Sequence, residues 1–222
     1  MTDQFEKRIF TPELFLNDVA FLLTHVPSMI AAARDEDITR MFIEKIMTVT
    51  TAVNECTYCA WYHAKASVAS GIGAEEVKSL LDLQFQATAS DFEIMALLYA
   101  QHYAETNRQP ETHMTARLFD TYGHRTAKHI VLVIRLISFG NLLGNTWDAV
   151  LSRFKGRPAP ASNLAFEVAF FLLTFWFMFP AMWLMKSDDK KGAVLARPEE
   201  RASSSAQWST ELSVKAGSRR TR

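Results

Sequence analysis

The chain has 222 residues, of which 24 are basic and 24 acidic, and 49% are hydrophobic. This length can bury an ordinary core, while the zero net charge argues against a dedicated nucleic-acid-binding protein. Two Cys are too few for a secreted scaffold held by disulfides. The opening MTDQFEKRIF contains acids and no apolar run, so we expect no secretory signal and a cytoplasmic protein.

Helix signals recur through residues 1–160, and no segment alternates strictly between apolar and polar residues. Thr11-Pro12-Glu13 predicts a first helix, because it offers a cap, a proline at the first helical position and an acid in the first turn. Asp35 or Asp37 is expected to cap the next helix. The apolar residues of that helix form one face: Ile38, Phe42, Ile46, Val49 and Val53.

Further helices are expected in the rest of this region. Gly71 and Gly123 each stand where a helix is expected to end, and Ser90-Asp91-Phe92-Glu93 is a capping box that opens another. The expected helices cover residues 56–70, 74–83, 91–105, 111–122 and 125–151. We therefore predict an all-α domain over residues 1–160.

The C-terminal part of the chain has a different composition. Residues 164–185, LAFEVAFFLLTFWFMFPAMWLM, form an apolar run of 22 residues. As a helix this run is about 33 Å long, against about 30 Å for the hydrocarbon core of a bilayer. Its aromatic residues would cover every face, which favours a membrane helix over an amphipathic surface helix. A helix buried in an oligomer is the alternative.

Two residues modify this prediction. Glu167 is the one charge of the run and is placed near its start, within reach of a membrane interface, and Pro180 is expected to kink or end the helix. The flanking charges do not decide an orientation. We assign residues 161–186 to the apolar helix and residues 187–222, with eight basic and five acidic residues, to a disordered basic tail.

The most informative motif is Cys56-x-x-Cys59-x-x-x-His63. On a helix these three side chains share one face over two turns. The unpaired N–H groups and the dipole of a helix N-terminus favour a thiolate, and a nearby imidazole can act as general acid or base. The motif thus predicts a dithiol redox centre with its own proton carrier.

Two other interpretations of this motif remain open. A structural zinc site needs four ligands, but the other histidines form no second paired motif. These other histidines are His25, His102, His113, His124 and His129. We therefore expect no bound metal or cofactor. A chance spacing in a buried helix is the second alternative.

Residues 46–81, together with Glu44, resemble the core of the carboxymuconolactone decarboxylase family, and most closely its alkyl hydroperoxidase D branch. The branch signature is a Glu, eleven residues, and then C-x-x-C-x-x-x-H, and this chain matches it from Glu44 to His63. The resemblance covers roughly residues 12–150. It implies an all-α fold and assembly as a trimer or a multiple of it.

The resemblance also implies roles for the residues. Cys59 would attack the peroxide, Cys56 would resolve the intermediate, and His63 and Glu44 would relay the proton. The branch reduces organic hydroperoxides, or passes electrons from dihydrolipoamide to a peroxiredoxin, so an external dithiol or lipoyl domain is the implied reductant. Tyr58 stands where alkyl hydroperoxidase D has a second His, so the particular reducing partner of that enzyme does not follow.

Without the resemblance, Glu44 is more simply a solvated acid, because it lies off the apolar face of its helix. A competing hypothesis for the whole chain is a non-catalytic, membrane-associated oligomer whose Cys pair senses redox state or is inert. We favour the thiol enzyme, with its catalytic domain in the cytoplasm, where a dithiol finds a reducing supply.

Overall fold

The structure, a computed structural model, describes residues 5–160 and 162–195. Every regular element in these ranges is helical, which confirms the predicted all-α class. The helices are α1 (Pro12–Thr24), α2 (Val26–Ala33), α3 (Arg40–Asn54), α4 (Thr57–Ala69), α5 (Ala74–Leu81), α6 (Asp91–Glu105), α7 (Thr112–Phe154) and α8 (Leu164–Leu195), with a 3-10 turn at Phe85–Ala87.

Two of the predicted helix starts are confirmed and one is wrong. Thr11 caps α1 through its side chain, and Ser90 opens α6 with the predicted capping box. The cap of α3 is Thr39, whose hydroxyl accepts a hydrogen bond from the Phe42 N–H. Asp35 and Asp37 lie too early in the chain for that role and bind side chains of α7 instead.

The breaks between helices follow local backbone chemistry. Gly123 has φ 71° and ψ 170°, so the predicted break is confirmed there and α7 consists of two helical segments. A second break, not predicted from the sequence, lies at His25, where α1 and α2 meet at 64°. Pro27 in the first turn of α2 suits a new helix start at this point.

Helix α3 lies at the centre of the main core and packs against α4, α5, α6 and α7. Its predicted apolar face is confirmed at Phe42, Ile46 and Val49, which are each at most 3% exposed. Ile38 is equally buried but precedes the first residue of α3. Val53, at the end of the face, is only partly buried.

A second apolar cluster joins the N-terminal segment, the C-terminal part of α7 and the first half of α8. The Trp147 indole stacks on the Phe171 ring at 5.0 Å between centroids, and Phe15 packs edge-on against Phe170 at 5.8 Å. Glu167 is buried, and its carboxylate pairs with the Arg153 guanidinium. The start of α8 therefore belongs to the folded core.

The chain divides into two compact units, of which the second begins at Phe179. Helix α8 continues through Pro180 to Leu195, so the prediction that this proline could end the helix is wrong. The predicted tail, residues 187–222, begins inside this helix, and its part from residue 196 onward lies outside the described residues.

Within the described ranges, α7 and residues Leu164–Asp188 of α8 are long and apolar enough to cross a membrane, as judged by length and composition. The bent pair of α1 and α2 passes the same criterion if it is taken as one span. Only 17% of the apolar window of α8 is buried, against 67% for α7. Most of the apolar window of α7 is thus buried in the protein core, whereas most of the apolar window of α8 is exposed at the protein surface.

Candidate functional site

The two thiols meet at the N-terminus of α4. Cys56 is the N-cap residue, and its sulfur accepts a hydrogen bond from the Cys59 N–H at 3.4 Å. The two sulfurs are 2.8 Å apart, and both thiols are free. A disulfide requires about 2.05 Å between sulfurs, so a small movement would close one. Cys56 is fully buried and Cys59 is partly exposed.

The two sulfurs differ in the ease with which they ionise. The side-chain hydrogen bond with Cys59 lowers the pKa of Cys56 and outweighs the effect of burial, helped by the Cys59 N–H. The same contact with Cys56, together with burial, raises the pKa of Cys59. The first thiolate therefore forms on Cys56, whereas the family resemblance implies attack by Cys59.

The predicted proton carriers are paired with each other. His63 Nδ1 lies 2.8 Å from Glu44 Oε2, and both residues are 8% exposed. The interpretation of Glu44 as a solvated acid is therefore wrong. A carboxylate accepts hydrogen bonds, so Nδ1–H of His63 donates to Glu44 Oε2, and Nε2 is then the ring nitrogen that can take up a further proton.

His63 follows Cys59 by one helical turn, so both side chains project from the same face of α4, about 6 Å apart along its axis. Glu44 reaches this face from α3, which packs against α4. The structure thus forms two pairs from the four predicted residues, Cys56 with Cys59 at the start of α4 and Glu44 with His63 between α3 and α4.

A second polar group adjoins the thiols and was not predicted. The Tyr58 hydroxyl donates to Asp148 Oδ1 at 2.9 Å, and Lys7 Nζ donates to Asp148 Oδ2 at 2.9 Å. Lys7 also reaches the Thr57 hydroxyl at 3.3 Å. Burial, and then Asp148, raise the pKa of Tyr58, so its hydroxyl stays protonated. Lys7 and Asp148 are distant from Cys56 in sequence, so no local spacing pointed to them.

Helix α7 approaches the thiols through a glycine. A Cβ atom added at Gly144 would lie 2.6 Å from the Cys56 sulfur, closer than any ordinary contact. The next residue, Asn145, donates from Nδ2 to the Asn54 carbonyl oxygen at 2.8 Å, at the end of α3. These contacts fix α7 against the α3–α4 junction and close the buried side of Cys56.

In the described part of the chain, no group of three His, Cys, Asp or Glu side chains is arranged to hold a metal ion. The arrangement instead offers two adjacent sulfurs, one of them accessible, and a buried acid–imidazole pair. Comparisons with protein-family models, with curated proteins and with solved structures gave no match.

Proposed function

We propose that this protein is a thiol-dependent peroxidase or disulfide oxidoreductase that reduces organic hydroperoxides. The observation that carries the proposal is the pair of free sulfurs 2.8 Å apart at the start of α4, the helix that also carries His63, the partner of Glu44. The resemblance to the alkyl hydroperoxidase D branch supports the same chemistry, because its signature residues form these two pairs.

The proposed cycle has three balanced steps. The Cys59 thiolate attacks the terminal peroxide oxygen, the O–O bond breaks, and the alkoxide takes a proton to leave as alcohol, with a sulfenic acid on Cys59. The Cys56 sulfur then attacks this sulfenic acid, which forms the Cys56–Cys59 disulfide and releases water. An external dithiol finally reduces the disulfide to two thiols and is itself oxidised to a disulfide.

Cys56 contributes to the first step by accepting the proton of Cys59. The thiolate that forms first is on Cys56, which is fully buried and has no access to a peroxide. Transfer of the Cys59 proton across the 2.8 Å contact places the negative charge on the accessible sulfur. His63, held by Glu44, takes up at Nε2 the proton released when the thiol pair first ionises, and then gives this proton to the departing alkoxide.

The partners of this reaction follow from its chemistry and from the resemblance. The substrate is a small organic hydroperoxide, and the reductant is a dihydrolipoamide-like dithiol or a lipoyl domain. A homo-oligomer, a trimer or a multiple of it, and a cytoplasmic catalytic domain belong to the same proposal.

The direct test is to measure consumption of cumene hydroperoxide by the full chain in the presence of dihydrolipoamide. Cys59→Ser should abolish turnover, whereas Ala60→Ser, a control on the same helix, should retain it. Turnover by Cys59→Ser at the wild-type rate would refute the proposal.

A second candidate function is a non-catalytic, membrane-associated protein whose Cys pair senses redox state or is inert. The outward apolar surface of α8 favours this alternative, because only 17% of its apolar window is buried. The ultraviolet absorbance of the thiolates as a function of pH separates the candidates. One thiol that ionises well below pH 8 supports the enzyme, whereas two thiols of ordinary pKa, about 8.5, support the alternative.

A further inference from the structure

A cavity of about 680 Å³ lies between the α1–α2 bend and the second segment of α7. It falls within the size range of small-molecule sites, about 300–1,000 Å³. Its polar lining is dominated by basic side chains, and the described residues that line it include no acid. The basic residues are His25, His124, Arg125, Lys128, His129 and Arg135.

This cavity is separate from the thiols. Arg135 precedes Gly144, the contact of α7 with Cys56, by nine residues, which is about 14 Å along a helix. Lys128 lies roughly 24 Å from Gly144 by the same measure. A ligand in the cavity would therefore not contact Cys56.

Two of the basic side chains are already neutralised by acids. Arg125 binds Asp37 at 2.5 Å and lies 3.4 Å from Asp35, and the His129 ring binds Asp35 at 2.5 Å. These acids face a neighbouring cavity that shares Arg125 and His129. The charge available to a ligand thus comes chiefly from Lys128 and Arg135.

Lys128 and Arg135 have unused hydrogen-bond donors. Lys128 is exposed and has no ion pair among the described residues. The Arg135 guanidinium lies 3.3 Å from the centroid of the Phe21 ring, and its buried Nε has no hydrogen-bond partner in the described part of the chain. Buried N–H donors nearly always have a hydrogen-bond acceptor in folded proteins, so we expect a ligand atom to accept a hydrogen bond from Arg135 Nε.

The rest of the lining is apolar. Phe21 of α1 and Val131 and Leu132 of α7 line this cavity. The His25 ring stacks on Phe21 at 3.9 Å between centroids, which holds the aromatic ring in place. A ligand that fills this space needs an apolar body beside its anionic group.

The geometry points to an amphipathic organic phosphate as the ligand of this cavity. Its phosphate contacts Lys128 and Arg135, because a point charge and a planar guanidinium both suit phosphate oxygens. Its apolar body lies against Phe21, Val131 and Leu132. Such a group occurs both on soluble phosphate esters and on anionic lipids. This site is additional to the proposed thiol chemistry and does not depend on it.

Calorimetric titration of the full chain with octyl phosphate tests the inference, with octanol and inorganic phosphate as the two half-ligands. We expect octyl phosphate to bind at least about tenfold more tightly than either half-ligand, a difference of about 1.4 kcal/mol. Equal binding of octyl phosphate and octanol, or of octyl phosphate and inorganic phosphate, would overturn it.

Variants locate the binding. Lys128→Gln changes an exposed side chain and should weaken octyl phosphate binding by about tenfold, whereas Lys78→Gln, an exposed lysine on α5, should leave it unchanged. Arg135→Lys keeps the positive charge but removes the planar guanidinium with its paired N–H donors, and it should also weaken octyl phosphate binding. Identical affinities for Lys128→Gln and Lys78→Gln would overturn the inference.

The two sources of the phosphate are then distinguished by competition. If vesicles that contain phosphatidic acid in phosphatidylcholine displace octyl phosphate from the wild-type protein, and vesicles of phosphatidylcholine alone do not, the ligand is an anionic lipid. If octyl phosphate stays bound in the presence of either kind of vesicle, the ligand is a soluble phosphate ester.

Discussion

At the scale of single residues, the contact between the two sulfurs lowers the pKa of Cys56 and raises the pKa of Cys59. The contact raises the pKa of Cys59 because the neighbouring Cys56 thiolate holds the Cys59 proton, and burial adds to the effect. Removal of Cys56 removes the main cause of that shift.

Cys56→Ser should therefore lower the pKa of Cys59, which we would measure by the ultraviolet absorbance of the thiolate as a function of pH. The variant should also stop at the sulfenic acid, because no resolving thiol remains, and a sulfenic-acid probe should label it. An unchanged or higher pKa of Cys59 would contradict the proposed proton sharing.

Glu44 and His63 provide a second prediction at this scale. Glu44→Gln keeps a hydrogen bond to Nδ1 but removes the carboxylate that stabilises a protonated ring, so peroxide turnover should fall by about a hundredfold. Glu55→Gln, at the exposed end of α3, is the matched control and should retain turnover. Equal rates for the two variants would exclude a role for Glu44 in proton relay.

Gly144 tests the fit of α7 against the thiols. In Gly144→Ala the new methyl group would lie 2.6 Å from the Cys56 sulfur, so the sulfur must move. We expect loss of peroxide turnover and a cost of about 1–3 kcal/mol in unfolding free energy, measured by denaturant titration. Gly140→Ala, whose Cβ would have an ordinary 4.0 Å neighbour, should remain active. Full activity of Gly144→Ala would contradict the close approach.

At the scale of elements, Lys45 joins three helices. This buried residue of α3 binds Glu76 of α5 at 2.7 Å and Glu93 of α6 at 2.9 Å. Burial alone would raise the pKa of Glu93, but hydrogen bonds from Lys45 and Ser90 outweigh it and lower the pKa. A carboxylate with a lowered pKa stabilises the fold fully above its unfolded-state pKa, and this stability is lost as pH falls through the folded-state value.

The folded protein should thus lose stability as pH falls below about 4.3, the ordinary pKa of Glu. Glu93→Gln should flatten this loss and cost about 1 kcal/mol at neutral pH, as measured by denaturant titration at several pH values. Glu75→Gln, an exposed acid on α5, should keep the wild-type pH dependence. The same slope for the wild type and Glu93→Gln would contradict the assignment.

Elements of this chain were predictable where the signal is local. The apolar face of α3, the capping box at Ser90 and the break at Gly123 each depend on residues a few positions apart, and all three are confirmed. The burial of Glu44 and the contacts of Asp148 depend on how α3, α4 and α7 pack, which single-helix periodicity does not contain. The family resemblance pointed to Glu44, but no pattern pointed to Asp148.

At the scale of the whole molecule, the first half of α8 has two roles. Phe170 and Met178 are buried, whereas Leu172 and Trp176 are 71% and 73% exposed. Deletion of residues 164–222 would uncover Trp147 and damage the fold. Substitutions on the exposed face are therefore the better test of membrane attachment.

If the exposed face of α8 attaches the protein to a bilayer, Leu172→Asp combined with Trp176→Asp should lower the fraction of the protein in the membrane pellet after cell fractionation, because charged side chains are costly in hydrocarbon. Val68→Asp, which charges an exposed apolar position on α4, should leave the distribution unchanged. A pellet fraction equal to that of the wild type would exclude this face of α8 as the attachment site.

We propose that Cys56 and Cys59 together give two electrons to a hydroperoxide. The most direct measurement is to treat the reduced full chain with one equivalent of cumene hydroperoxide, without a reductant, and to follow both thiols and the alcohol product. We predict loss of both free thiols, a Cys56–Cys59 disulfide in the peptide mass spectrum and an equimolar amount of alcohol. Two thiols that remain free beside unconsumed hydroperoxide would contradict the claim.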